Sequence, residues 1–279
     1  MRGFSPESSM SGRRRRPQGV LRRWLAPTLL LVGLLGAWEI AARWGLLADA
    51  LSLKSYLVPA PSDIASSLWS DRSLLASNAW VTLREVLGGL AIAIVVGFAL
   101  AVLIHLSATL RRALYPLLVA SQTIPIVAIA PILIVWFGFG IGPKLAIIAL
   151  VCFFPVTVNT FDGLRSVDPE LTKLMRTLDA SRVQTLSRAE VPAALPYFLS
   201  GAKIAVAVAV IGAVFAEWSG SDAGLGHLIL VSNGVLDTAR VFAAVVVLSA
   251  MAIVLFALLG LAERRLAWWG EGGRRRAVT

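Results

Sequence analysis

Charge is scarce in this sequence, and its scarcity excludes most water-soluble proteins. Only 15% of the 279 residues are charged, 57% are hydrophobic, and the mean hydropathy is +0.78. Soluble chains carry about a quarter charged residues. A soluble chain of this size could not bury so much apolar surface, so the composition predicts a polytopic membrane protein.

Several chemical patterns are also missing. The sequence has no G-x-x-x-x-G-K-[ST] loop to hold phosphates, no H-E-x-x-H and no G-x-S-x-G. Cys152 is the only cysteine, which excludes an internal disulfide and a cysteine-based metal cluster. His105 and His227 are expected near opposite membrane faces, with His105 at the interface, and no two carboxylates are expected to be buried together. We therefore predict a protein that is not an enzyme and has no cofactor or metal.

The net charge is +10, and many of the arginines responsible stand at the two ends of the sequence. Arginines cluster before the first apolar run and after the last, as is typical of cytoplasmic flanks. This indicates a cell-membrane protein with both termini in the cytoplasm and no nucleic-acid partner. The arginines concerned are Arg13, Arg14, Arg15, Arg16, Arg22 and Arg23 at one end, and Arg264, Arg265, Arg274, Arg275 and Arg276 at the other.

Six apolar runs predict six transmembrane helices and an all-α fold, because lipid tolerates no unpaired backbone. Loops 107–114 and 161–197 are expected inside, and loops 45–85, 138–144 and 219–240 outside. In the first outer loop, Ser62 or Asp63 is expected to cap a short surface helix. The predicted spans are Trp24–Trp44, Val86–Leu106, Tyr115–Phe137, Leu145–Thr160, Phe198–Trp218 and Val241–Leu261.

The inner loop between the fourth and fifth spans predicts two short helices meeting near 179–180. Asp168 can cap the first, with Pro169 in its first turn, and Ser181 with Gln184 forms a capping box for the second. An apolar stripe follows helical spacing, and it could lie on lipid, pack under its own bundle or fill a groove on a partner. The stripe consists of Leu171, Leu174, Met175 and Leu178.

Other residues bear on a possible path through the membrane. Pro125 and Pro131 interrupt the third span, so Gln122, Thr123 and Pro125 either line a cavity or pack on neighbouring helices. Asn159, near the inner end of the fourth span, has the same two interpretations. The fifth span is rich in glycine and alanine, which favours close helix packing over a substrate site.

Longer segments resemble one known family, the permease subunits of binding-protein-dependent ABC importers of the nitrate, sulfonate and taurine type. The resemblance covers about residues 35–268 in one register. In the family's generic loop signature, a glycine stands where this chain has Asp179. The matching segments are Trp38-Glu39, 57–63 (LVPAPSD), 121–131 (SQTIPIVAIAP), 136–140 (WFGFG), 153–155 (FFP), Asn159-Thr160, 163–171 (GLRSVDPEL), 180–182 (ASR), 192–196 (PAALP), 201–204 (GAKI) and 224–226 (GLG).

The resemblance implies a mechanism and partners. Two permease copies, here expected to be a homodimer, form the path through the lipid. Two cytoplasmic ATPase subunits drive it by gripping the loop helix, and an extracytoplasmic binding protein delivers the solute. The implied ATPase-coupling residues are Leu171, Leu174, Met175, Arg176, Leu178, Asp179, Ala180, Ser181 and Arg182, and the expected path residues are Gln122, Thr123, Pro125 and Asn159.

The predicted organisation is a disordered basic tail (1–22), a first transmembrane helix with an outer surface segment (23–73), the permease core (74–263) and a second basic tail (264–279). Residues 214–220 and 223–227 are most similar to permeases linked to the thiamine pyrimidine precursor or to riboflavin. Nitrate, taurine and alkanesulfonates stay open. The alternative, an ion-coupled secondary carrier, is disfavoured because charges cluster at the span ends instead of their centres.

Overall fold

The computed structural model describes residues 20–50, 52, 54 and 57–266, and the regular secondary structure in that part of the chain is helical. The all-α prediction is confirmed. The predicted tails 1–22 and 264–279 lie largely outside the described residues. The helices are α1 (Val20–Arg43), α2 (Leu46–Ala50), α3 (Pro61–Ser70), α4 (Arg72–Leu106), α5 (Ala108–Ser121), α6 (Ile126–Phe137), α7 (Ile141–Arg165), α8 (Pro169–Thr177), α9 (Arg182–Thr185), α10 (Val191–Gly220), α11 (Leu225–Gly234) and α12 (Thr238–Leu266), with a π-helical turn (Leu186–Glu190) joining α9 to α10.

Four helical stretches of the described chain are long and apolar enough to cross a membrane: α4, α7, Arg182–Gly220 and α12. The pair α5 and α6 would make a fifth span, but its two halves are bent by 101°. The protein is thus a multi-pass membrane protein, and the predicted total of six spans is not confirmed. The predicted third span, Tyr115–Phe137, is broken between Ser121 and Ile126, next to Pro125 as expected, whereas Pro131 lies inside α6 and does not interrupt it.

The described chain forms two compact units, divided between Ser62 and Asp63. In the first unit, the Glu39 carboxylate accepts from Arg43 Nε at 2.7 Å and from the Ser62 backbone N–H at 3.0 Å. The predicted short helix is present as α3, which begins at Pro61, so that Ser62 and Asp63 lie inside its first turn. Glu39 supplies an acceptor for the Ser62 N–H, one of the N-terminal groups without a partner inside the helix.

In the second unit, α4, α7 and α10 form the core, and glycines set their spacing. A Cβ added to Gly89 of α4 would lie 2.5 Å from Ile148 Cβ of α7, and one added to Gly201 of α10 would lie 2.6 Å from the Pro155 carbonyl oxygen. The prediction that the small residues of the fifth span serve helix packing is confirmed. Those buried on α10 are Gly201, Ala202, Ala205, Ala209, Gly212 and Ala213.

Three predicted loops differ from the structure. Helix α4 begins at Arg72 instead of Val86, α5 starts inside the predicted loop 107–114, and α11 occupies the centre of the predicted loop 219–240. Helix α10 has 30 residues and spans about 45 Å at 1.5 Å per residue. Its two ends define two ends of the bundle. We call them the α8 end, near α8 and α9, and the α11 end, near α11.

Candidate functional site

The α8–α9 segment, residues 168–190, is fixed at its start and its centre by local hydrogen bonds. The Asp168 side chain accepts from the Glu170 backbone N–H at 2.8 Å, with Pro169 in the first turn. Ser181 and Gln184 bond reciprocally, N–H to Oε1 at 2.8 Å and N–H to Oγ at 3.3 Å. Both predicted caps are therefore confirmed, and sequence alone encodes this local geometry.

Asp179 performs the conformational role of a glycine between α8 and α9. Its φ is +57°, in the left-handed region. The Ala180 N–H donates to the Met175 carbonyl at 3.0 Å, and the Asp179 N–H donates to the Arg176 carbonyl at 3.1 Å. These two bonds form a Schellman motif, which usually has glycine at this position. Aspartate tolerates the left-handed region better than most residues, so Asp179 can form this turn in place of a glycine.

Most of the apolar stripe of α8 is not covered by the other residues that the structure describes, although Met175 is half-buried. None of the nine residues of α8 is buried. Leu171 is 44% exposed, Leu174 55% and Leu178 72%, and Val183 of α9 is also 72% exposed. Of the three interpretations of this stripe, packing under its own bundle does not match the structure. Lipid and a partner protein stay open on geometry alone.

Glu190 anchors the α8–α9 segment to the bundle. It is only 5% exposed. Its Oε1 accepts from Arg182 Nη1 at 2.5 Å, and its Oε2 lies 2.9 Å from His105 Nε2 at the end of α4. His105 lies in the last turn of α4, and its side chain is 11% exposed and packs edge-on against Phe161. One carboxylate thus joins the first residue of α9 to the last turn of α4.

The backbone at Glu190 is irregular. Residues Leu186–Glu190 form a π-helical turn between α9 and α10, where the Val191 N–H donates to the Leu186 carbonyl. Single π turns inside α-helices are frequent at functional sites, because they re-aim side chains at a small cost in backbone geometry. Nothing in the sequence pattern signalled this turn, since it is decided by which carbonyl each N–H finds.

The four predicted path residues fall into two groups. Gln122, Thr123 and Pro125 lie exposed at the break between α5 and α6. The Thr123 hydroxyl donates at 2.8 Å to the Ala120 carbonyl, which also accepts from the Thr123 backbone N–H at 3.0 Å. Asn159 is half-buried elsewhere, between α7 and α10, where its amide donates to the Pro155 carbonyl at 2.8 Å. The structure of the single chain does not bring the two groups together.

A second polar cluster lies at the α11 end. Glu217 of α10 is 1% exposed, and its Oε1 accepts from the Thr82 hydroxyl at 2.6 Å. Its Oε2 accepts from the backbone N–H groups of Gly226 at 2.5 Å and His227 at 3.3 Å. The Thr82 oxygen also accepts from the Leu225 N–H at 2.8 Å. These bonds satisfy the N-terminus of α11, which favours a negative charge.

The same cluster contains an ion pair. Lys144 Nζ of α7 donates to Glu85 Oε1 of α4 at 2.7 Å and to Ser221 Oγ at 2.6 Å. Glu85 is 2% exposed and Lys144 8%. The prediction that no two carboxylates are buried together is wrong, since Glu85 and Glu217 share this cluster. The helices bring together residues 59 or more positions apart in the chain, which no local pattern reveals.

One sequence signal could have revealed part of this cluster. Asn78, Thr82 and Glu85 follow spacings of four and three residues, so they form a polar stripe on one face of α4. All three face the cluster, since Asn78 Oδ1 accepts from the Gly224 N–H at 2.8 Å. The prediction does not include this stripe, because it places residues 45–85 in a loop, where helical spacing has no meaning.

A second ion pair lies near the α11 end. It joins Asp71, which directly precedes α4, to Arg240 in the first turn of α12. Arg240 Nε donates to Asp71 Oδ2 at 2.9 Å, and the Ser67 hydroxyl donates to the same oxygen at 3.0 Å. These donors, Arg240 first, hold the pKa of the Asp71 carboxyl below its usual range. The pair ties the start of α12 to the turn between α3 and α4. Its Asp71 side chain is 21% exposed, so solvent weakens it.

Known proteins match this architecture. The family model described as the inner membrane component of binding-protein-dependent transport systems matches residues 93–268. The formylaminopyrimidine transport permease ThiX of Halalkalibacterium halodurans is 41% identical over 88% of this chain and 96% of its own length. The riboflavin transport permease RibX of Chloroflexus aurantiacus is 36% identical over 77% of this chain and 81% of its own.

A solved structure has the same fold. A chain of the MetNI methionine ABC transporter in an inward-facing conformation superposes with a TM-score of 0.61, covering 75% of this chain and 97% of that one at 19% identity. Fold and relatives together define a membrane-spanning transport permease. The chain belongs to the family of inner membrane components of binding-protein-dependent transport systems, the permease subunits of ABC importers. Membership implies ATPase and substrate-binding-protein partners.

Proposed function

We propose that the α8–α9 segment is the surface through which a cytoplasmic ATPase drives this importer permease. The observation that carries the proposal is the exposed apolar stripe on α8, held by a cap at one end and a Schellman motif at the other. A short amphipathic helix with a rigid backbone loses little entropy when it fills a groove on a partner. The contact residues would be the coupling residues named above, from Leu171 to Arg182.

Glu190 provides a route for motion from this surface into the bundle. Arg182 belongs to the contact surface, and Glu190 joins it to His105 at the end of α4. When a partner moves α8 and α9, the buried carboxylate would carry the displacement to α4 directly. On this proposal the α8 end and both termini face the cytoplasm, which agrees with the arginine distribution.

The path would form between two copies of the chain. Gln122, Thr123 and Pro125 are exposed polar or backbone-freeing residues at a break in an apolar helix pair. Irregular backbone at membrane depth is tolerated where it lines a water-filled cavity, so a second copy facing this break would complete such a cavity. Within the proposed organisation, the permease core begins near residue 74 and the binding protein docks at the α11 end.

The solute is proposed to be the pyrimidine precursor of thiamine or a related nitrogen heterocycle. The support is that ThiX, at 41% identity, is a formylaminopyrimidine permease and RibX, at 36%, a riboflavin permease. We expect cells that lack the permease to lose uptake of labelled formylaminopyrimidine while taurine and alkanesulfonate uptake stays unchanged. Loss of sulfonate uptake alone would instead assign the chain to the sulfonate branch.

Replacing Leu174 by aspartate tests the docking surface. Central apolar residues of an interface contribute about 2 kcal/mol or more, so we expect roughly 30-fold weaker ATPase binding. The variant should still insert into the membrane, because Leu174 is exposed and supports no core. The measurement is the ATPase affinity of the full chain in nanodiscs, followed by uptake in the assembled complex.

Thr172→Asp is the matched control for this substitution. It places the same carboxylate on the same helix, two residues away and therefore about 200° from the Leu174 position. Its affinity for the ATPase should stay close to that of the parent chain. Equal affinities for all three chains would count against the docking role. Detachment of α8 from the lipid surface without any change in ATPase affinity would favour the lipid interpretation.

A further inference from the structure

The α11-end cluster, defined as Glu85, Lys144, Glu217 and Thr82, has an unbalanced charge. It contains two carboxylates and a single ammonium group, all at most 8% exposed. Buried charges in proteins are normally paired, because each unpaired charge loses its hydration without compensation. With both carboxylates ionised, one negative charge in the cluster would have no cationic partner.

The hydrogen bonds show which oxygen is left over. Glu217 accepts from one hydroxyl and two backbone N–H groups, and Glu85 Oε1 accepts from Lys144. Glu85 Oε2 is fully buried and receives no hydrogen bond from any residue that the structure describes. Glu85 follows Thr82, the donor to Glu217, by three residues on one face of α4, and Lys144 bonds both Glu85 and Ser221, which stands four residues after Glu217. The two carboxylates are therefore neighbours in the cluster, and both act as acceptors.

A metal ion does not suit this position. A Cβ added to Gly224 would lie 2.2 Å from Glu217 Cδ, so the backbone closes tightly over the carboxylate. Hard cations such as Ca²⁺ need six to eight oxygen ligands, and no group of three or more His, Cys, Asp or Glu side chains in the described residues could hold a metal. The missing positive charge must occupy almost no volume.

We propose that Glu85 and Glu217 bind one proton between them, with an O–H on Glu85 Oε2 donating to the Glu217 carboxylate. The proton comes from the solvent and adds to the pair without any other bond changing. It converts two acceptors into a donor and an acceptor, and it makes the cluster electrically neutral with Lys144. Two contacting carboxylates that share one proton are a known arrangement.

The proton has a structural consequence for α11. Glu217 and Thr82 together bind the N–H groups of Leu225, Gly226 and His227, so the cluster caps the N-terminus of this helix. Among the charged groups that bond within the cluster, Lys144 from α7 is the cation and the two glutamates are the anions. Loss of the proton would place a second negative charge next to Glu217. The attachment of α11 to the cluster would therefore weaken as the pH rises.

Infrared difference spectroscopy tests the proposal on the full chain in nanodiscs, without ATPase or solute. Raising the pH from neutral to alkaline should remove the C=O band of one protonated carboxylic acid. The band should be absent in Glu85→Gln and in Glu217→Gln. It should persist in Glu263→Gln, which removes the carboxylate that pairs with Lys203 at the other end of α10. Absence of the band in the parent chain, or its presence in Glu85→Gln, would overturn the proposal.

A stability measurement decides the matter if Glu217→Gln fails to fold. Glutamine at position 85 keeps a carbonyl for Lys144 and offers an N–H to Glu217, as the protonated acid does. Glu85→Gln should therefore unfold at the same temperature as the parent at neutral pH and lose less stability at alkaline pH. A marked fall in the midpoint at neutral pH would show that Glu85 is ionised. Neither outcome depends on the docking surface proposed above.

Discussion

Replacing Glu190 by alanine is expected to separate ATP hydrolysis from transport. The carboxylate is the shared partner of Arg182 and His105, so its loss removes two hydrogen bonds between α9 and α4. Bonds to charged groups contribute about 1.5–3 kcal/mol each, so the loss of even one of the two predicts at least a roughly tenfold fall in solute moved per ATP hydrolysed. The substitution replaces no residue of the docking surface and leaves the apolar stripe of α8 in place, so the ATPase should still bind and turn over. The measurement is uptake and phosphate release in the same proteoliposomes.

Two further variants serve as controls for Glu190→Ala. Glu190→Gln keeps an acceptor for Arg182 but replaces the oxygen that accepts from His105 by an N–H group, so its transport per ATP should fall between the parent and the alanine variant. Glu263→Ala removes another ion-pairing carboxylate at the α8 end, the partner of Lys203, and should leave the ratio unchanged. If Glu190→Ala transported as much solute per ATP as the parent, Glu190 would be a stabilising residue only, and α4 would be moved through other contacts.

Replacing Gly224 by alanine is expected to be the most destabilising small substitution at the α11 end. Gly224 has a φ of +117° and a ψ of 161°, a region essentially restricted to glycine. The added Cβ would also lie 2.2 Å from Glu217 Cδ, which cannot retreat without losing its bonds to α11. Backbone strain of about 1–3 kcal/mol and overpacking of about 1–3 kcal/mol add to roughly 4 kcal/mol. Thermal unfolding of the chain in nanodiscs measures the effect.

Gly260→Ala is the control for this substitution. Gly260 lies within α12, and a Cβ added there has nothing within 4 Å. Alanine has the higher helix propensity, so this variant should match or slightly exceed the parent in stability. Equal midpoints for the two alanine variants would mean that the Glu217 carboxylate can move, and that α11 is seated more loosely than the hydrogen bonds indicate.

A buried glutamate with hydrogen bonds to other helices lies at each end of α10. Glu190 precedes its first residue and bonds towards the α8–α9 segment, and Glu217 lies in its last turn and bonds towards α11. Both side chains are buried, and both reach α4 or residues bonded to α4. A displacement of α10 relative to α4 would thus be felt at both ends of the bundle. The two single-site tests above address the ends separately.

Sequence by itself determined the features that depend on neighbouring residues. Asp168, Ser181 and Gln184 fixed the caps of the α8–α9 segment, because an N-cap bond spans only two or three residues. Apolar runs identified the helices of α4, α7, α10 and α12, since lipid requires about 20 apolar residues in a row. The resemblance of long segments identified the family, which the relatives then showed.

Tertiary structure alone decided which distant groups meet. Glu85 pairs with Lys144 across 59 positions, Glu190 meets His105 across 85, and Thr82 meets Glu217 across 135. Each of these residues appears in sequence as an ordinary charge or hydroxyl near a span end. Whether such a group stays in water or enters the core depends on how the helices pack, because only a partner in contact compensates for the lost hydration. The attachment of the α11 N-terminus to Thr82 and Glu217 follows from the same packing.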